Sequence, residues 1–141
     1  MTSDAGQAGE IGFALYRSTA SRALPAAELR EILAVARERN RSLGVTGCLH
    51  HEDGLFFQWL EGAPAAIEQV LSSIRRDDRH RAMVVLAEGV LPTRLFDQWQ
   101  MRFSNREDAS LLNWLASAEV STLNRRDYGA AVTAFLRSVA I

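Results

Sequence analysis

One phenol and two carboxamides sit in stretches of this 141-residue chain where the neighbouring residue types are apolar. Tyr16 lies in a run where Ile11, Phe13 and Leu15 alternate with Gly12, Ala14, Tyr16 and Ser18, so the phenol shares a strand face with small residues. Gln58 has Phe56 and Leu60 on its own face of a second strand and Phe57 and Trp59 on the other. Asn40 extends the helical stripe of Leu29, Ile32, Leu33 and Ala36, which carries an amide onto a buried face at the helix end. Buried and unpaired, an amide costs about 1–3 kcal/mol. These groups must therefore bond one another, the backbone or a guest. An amide from a helix, an amide from a strand and a phenol from another strand offer donors and acceptors to a flat heterocycle. Ile32 and Ile74, one from each of two helical stripes, are placed to close on its two faces. For any one of these residues taken alone, a purely structural network is the better explanation.

Several other chemistries are excluded by composition. All 16 basic side chains are arginine, which removes Schiff-base chemistry on lysine and any phosphate loop built around one. The single cysteine, Cys48, forms no internal disulfide or thiolate zinc site and reads as a small core residue. His50 and His51 lie beside a turn and read as exposed strand-end residues, and without clustered carboxylates or thiols no metal is expected. A net charge of −1 with 48% hydrophobic residues describes an ordinary globular protein without the basic excess that attracts nucleic acid. No apolar run approaches the roughly 18 to 20 residues of a membrane span. The polar, acidic stretch from Met1 to Glu10 is unlike a secretory signal, so a cytoplasmic location is expected.

The length suits one domain, and the elements that must position these residues follow from periodicity. A strand runs from Ile11 to Ser18. A helix opens with Pro25 at its first position and is ended by Gly44. Val45 to His51 and Leu55 to Glu61 form a hairpin around Glu52, Asp53 and Gly54. Pro64 opens a second helix striped by Ile67, Val70, Leu71 and Ile74, which ends at the charged cluster of residues 75–80. Strands follow at Ala82 to Ala87 and where Trp99, Met101 and Phe103 alternate with Gln100 and Arg102. The order βαββαββ predicts a ferredoxin-like α+β sandwich: a five-stranded mixed sheet with two helices on one face. Beyond it, Leu111, Leu112, Trp114 and Leu115, then Tyr128, Val132, Phe135, Leu136 and Val139, predict C-terminal helices. They are expected to cover the other sheet face or a second subunit, and their apolar surplus suggests a homo-oligomer.

Five stretches carry a family likeness: LYRS at 15–18, N-x4-VTG at 40–47, FFQWLEG at 56–62, RDDRH at 76–80 and RLFDQWQMRF at 94–103. In this order and spacing, from about Ile11 to Phe103, the chain resembles the BLUF domain. The resemblance implies a non-covalently bound flavin, FAD with FMN or riboflavin as alternatives, between the two helices. Tyr16 is then the electron and proton donor, and Gln58 lies between the phenol and flavin N5 and O4. The same resemblance places Asn40 at the O4 edge, Arg79 near O2, and Asp77 and His80 close to that end. Trp99 and Met101 fall on the implied output strand. Read without the resemblance, the charged run 76–80 is a solvated helix terminus, and Trp99 and Met101 are core packing.

Two departures stand out. Arg39 occupies a position where the family often has a polar or asparagine-like residue, and Ala36 and Ser73 supply no charge for a cofactor phosphate. The expected organisation is a tail over 1–10, a flavin-binding domain over 11–104 and a helical extension over 105–141. With no sequence after residue 141 for a catalytic output domain, the signal is expected to pass to a partner protein. The alternative is a light-independent adaptor with a vestigial pocket. An enzyme is disfavoured because there is no phosphate-cradling glycine loop, nicotinamide fingerprint or paired nucleophile and base.

Overall fold

The computed structural model describes residues 10–96, 102–117 and 124–139. Its elements are β1 (Ile11–Ala20), α1 (Ala26–Leu43), β2 (Thr46–Glu52), β3 (Leu55–Gly62), α2 (Pro64–Arg75), β4 (His80–Leu91), β5 (Arg102–Asn105), α3 (Leu111–Ser117) and α4 (Arg125–Val139). The strands lie in the order β4-β1-β3-β2-β5, antiparallel except where β5 runs parallel to β2. This is the ferredoxin-like arrangement, with α1 and α2 on one face of a five-stranded mixed sheet and C-terminal helices added.

Local chemistry sets the boundaries. Pro25, with φ −63°, stands just outside α1 as its N-cap, one position earlier than its expected role as the first helical residue. Gly44 ends the helix in the left-handed region at φ 68°, its N–H bonding back to the carbonyls of Asn40 and Arg41. Asp53 and Gly54 take φ 52° and 78° between β2 and β3. Such a two-residue turn matches the right-handed twist of paired strands.

The sheet divides the apolar side chains into two cores. Ala14, Tyr16, Leu49, Phe56 and Leu60 face α1 and α2, where they meet Leu33, Ile67, Val70, Leu71 and Ile74. Leu15, Cys48, Phe57 and Trp59 face the other way, against Leu111, Leu115, Val132, Phe135 and Leu136. The C-terminal stripes thus bury much of their apolar surface on this chain's own sheet, while Trp114 stays exposed. Among the described residues no helix is long and apolar enough to cross a membrane.

Two further expectations change. The fourth strand, expected over 82–87, extends from His80 to Leu91 and is broken by two register shifts against β1, one between Leu15 and Tyr16 and one between Arg17 and Thr19. Near the second, Ala82 takes φ 52°. These irregularities masked the strand's full length from an alternation count. His50, expected to be exposed at a strand end, has no exposed surface at all. The reason is that β5 pairs outside β2, which makes β2 an interior strand, and α4 sets the Phe135 ring 4.9 Å from the imidazole. The fifth strand is described only over Arg102–Asn105, so Trp99 and Met101 lie outside the described residues.

Candidate functional site

Tyr16 and Gln58 are direct cross-strand partners of β1 and β3. Both side chains rise from the helix-bearing face, and the Tyr16 hydroxyl donates a hydrogen bond to Gln58 Oε1. The two residues are 1% and 2% exposed, so this bond forms in a medium where an unpaired phenol or amide would be costly. Burial drives the Tyr16 phenol well above its ordinary range, against the opposing pull of the Arg39 guanidinium, while Asp77 pushes it further up. Tyr16 is therefore a protonated donor throughout the physiological range. With its Oε1 taken by the phenol, the Gln58 amide presents Nε2 as donor elsewhere.

Above this pair α1 and α2 form a cleft. Ile32, Ala36 and Arg39 contribute from α1, Ser73 and Ile74 from α2, and Leu49 from β2, with Asp77, Arg79 and His80 after α2. Ile32 and Ile74 are buried, as their place in the two helical stripes requires. The turn after α2 is held by a fork: Arg79 Nε and Nη2 lie 3.0 and 2.8 Å from the two Asp77 oxygens, and the Arg79 amide also donates to Asp77 at 3.0 Å. Arg79 holds the Asp77 carboxyl below its usual range. His80 Nδ1 is 2.8 Å from Ser18 Oγ, and its ring packs 4.7 Å from Phe56. Burial lowers the His80 imidazole below its ordinary range, which leaves it neutral at pH 7.

Of the residues expected at the site, Tyr16, Gln58, Ile32, Ile74, Asp77, Arg79 and His80 converge on this cleft. Asn40 is fully buried but is not among the lining residues. Its Oδ1 accepts a hydrogen bond from Arg39 Nε at 3.2 Å, and its backbone carbonyl accepts one from Val45 at 2.8 Å. Leu49 and Arg39 are lining residues that the sequence reading did not assign. For Arg39 the signal was present, since it follows Ile32 by seven positions and Ala36 by three and so shares their helix face.

The residue chemistry suits a flat heterocycle: aliphatic side chains on two helices, and hydrogen-bonding groups on the floor and at one end. The cleft encloses about 50 Å³, well below the roughly 150 Å³ that admits a single benzene ring.

Residues 12–102 match the family model for BLUF, sensors of blue-light using FAD. Photoactivated adenylate cyclase subunit beta of Euglena gracilis is 35% identical over 79 residues, which is 56% of this chain and 9% of that protein. The chain thus spans about a tenth of the length of such curated relatives. The dark-state structure of the BLUF protein BlrB superposes with a TM-score of 0.72 at 27% identity, covering 89% of this chain and 98% of BlrB. Klebsiella pneumoniae BlrP1, solved with FMN and cyclic diGMP, gives a TM-score of 0.64 at 33% identity over 69% of this chain and 26% of its own. The shared stretch is a sensory module rather than a catalytic one. With a family match running from the start of β1 to the start of β5, and the Tyr16–Gln58 pair at its centre, the chain belongs to the BLUF family of flavin-binding blue-light sensors.

Proposed function

We propose that this protein senses blue light through a flavin held between α1 and α2, FAD in the first instance with FMN or riboflavin as alternatives, and passes the signal to a partner protein. The observation that carries this reading is the buried hydrogen bond from Tyr16 to Gln58 Oε1 on the floor of the cleft. The bound flavin would supply the blue-light absorption and an electron-accepting ring. Tyr16 supplies an electron and a proton together, and the proton leaves Oη along the existing bond toward Gln58 Oε1. Gln58 then re-pairs: a carboxamide turned about its terminal torsion, or tautomerised, exchanges donor for acceptor in almost the same volume. Ile32 and Ile74 bracket the ring from the two helices. The Asp77–Arg79 fork and neutral His80 fix the polar end, and Asn40 acts through Arg39 by accepting its Nε–H.

The purified protein's visible spectrum, recorded before and after blue light with flavin supplied, tests this. A yellow protein with a reversible red shift is expected, and Tyr16→Phe and Gln58→Leu should keep the flavin but lose the shift. A variant of either kind that photoconverts normally overturns the assigned roles. The narrowness of the cleft favours a second reading, a light-independent adaptor. A protein that stays colourless after incubation with excess FAD, FMN and riboflavin would establish that one instead.

A further inference from the structure

β2 has one face toward the cleft and the other toward the C-terminal helices. On the first, Leu49 lines the cleft and is the cross-strand partner of Gln58. On the second, the next residue, His50, and then Glu52 form a buried polar chain that the photochemistry does not use. Ser104 Oγ of β5 lies 2.8 Å from His50 Nδ1, and His50 Nε2 lies 2.9 Å from Glu52 Oε1. Because Nε2 faces a carboxylate it carries the proton, so in the neutral imidazole Nδ1 accepts from the serine hydroxyl.

Glu52 in turn gathers the start of α3. Its Oε1 accepts from the Leu111 amide at 2.7 Å, and its Oε2 from Ser110 Oγ at 2.6 Å and the Leu112 amide at 3.4 Å. Arg106 Nη2 also approaches Oε2 at 3.4 Å, while its stronger contact is with Asp53 at 2.6 Å. The first amides of a helix have no partner within it, so one carboxylate on β2 satisfies the groups that dock α3. The Glu52 side chain has 0% exposure, and water cannot replace it without the helix lifting.

We infer that Glu52, oriented by His50 and Ser104, is the positioning residue through which movement of β2 beside Gln58 reaches the C-terminal helices. This rests on the light-sensing reading above. A strand shift at Leu49 carries His50 with it, because the two are consecutive on an extended backbone. His50 then moves against Ser104 and Glu52, and the bonds to Ser110, Leu111 and Leu112 lengthen or shorten together.

The test is amide hydrogen exchange of the flavin-loaded 141-residue chain, in the dark and under blue light, beside the absorption spectrum. In the native chain the exchange of Leu111 and Leu112 should differ between dark and light. Glu52→Gln, which turns an acceptor into a donor facing other donors, should keep the red shift and lose that difference. Ser104→Ala leaves every direct donor to Glu52 in place and should diminish it, which keeps the inference testable if Glu52→Gln does not fold. A red shift with no light-dependent exchange at α3, or variants that retain the native difference, overturns the inference while light sensing stands. Absence of the red shift from the native chain overturns the light-sensing reading itself, and the inference with it.

Discussion

A buried phenol and a buried amide read from the sequence as residues in the wrong surroundings, and the structure resolves them into one hydrogen-bonded pair. Tyr16 and Gln58 were legible because strand alternation alone assigns a side chain to a sheet face. Glu52 was not. Beside Asp53 and Gly54 it looks like part of a turn, and its partners Ser110, Leu111 and Leu112 are about 60 residues further on. Burial alone would raise its pKa, but hydrogen bonds from His50, Ser110 and the amides of Leu111 and Leu112 outweigh that and set it near about 2, below an ordinary 4.5. A carboxylate with a depressed folded-state pKa contributes stability that is complete above its unfolded value and disappears as pH falls through the folded one. The native chain should therefore lose stability from near pH 4.5 down to about pH 2. Glu52→Gln, less stable at neutral pH, should show a flatter decline across that window in urea midpoints measured at successive pH values. Equal slopes would mean that Glu52 does not carry this dependence.

At the scale of elements, two glycines separate backbone strain from steric exclusion. Gly44 ends α1 at φ 68° with nothing within 4 Å of an added Cβ. Gly44→Ala should therefore cost about 1 kcal/mol, the price of placing a side chain in the left-handed region. Gly47, in β2, has φ 154°, and a Cβ there would lie 1.9 Å from the Trp59 carbonyl oxygen. Gly47→Ala must push β2 from β3 and should destabilise by more than about 3 kcal/mol, the upper part of the range for single substitutions. Thermal unfolding of the two variants compares them directly, and a smaller loss at Gly47 than at Gly44 would contradict the strand packing described. Helix and hairpin positions were legible because each carries its own periodicity and punctuation. The length of β4 was not, because its irregularities reverse the alternation on which a strand is recognised.

For the whole molecule, one sheet serves two cores, so a loss of packing in one is expected to weaken the other. Phe135 is 1% exposed in the second core, edge-on to both His50 and Trp114. Phe135→Ala should cost about 3–5 kcal/mol, as for other buried aromatic truncations, and chemical denaturation with a single transition would show the loss shared by the whole chain. A loss confined to α4, with the sheet melting at its native midpoint, would make the C-terminal helices an independent unit. The sequence stripes foretold that these helices cover something apolar, but not what, since periodicity describes a face and not its partner. The interrupted ladder of β4 has a further bearing on how the molecule behaves in a crowd. Among the described residues β4 and β5 are the two edges of the sheet, and β4 is much the longer of them. A flat border of that length would template a stack of further chains, whereas a doubly kinked one gives an incoming strand no continuous register to follow. Concentrated solutions should accordingly stay clear, and straightening the kinks would be the change that lets fibres grow.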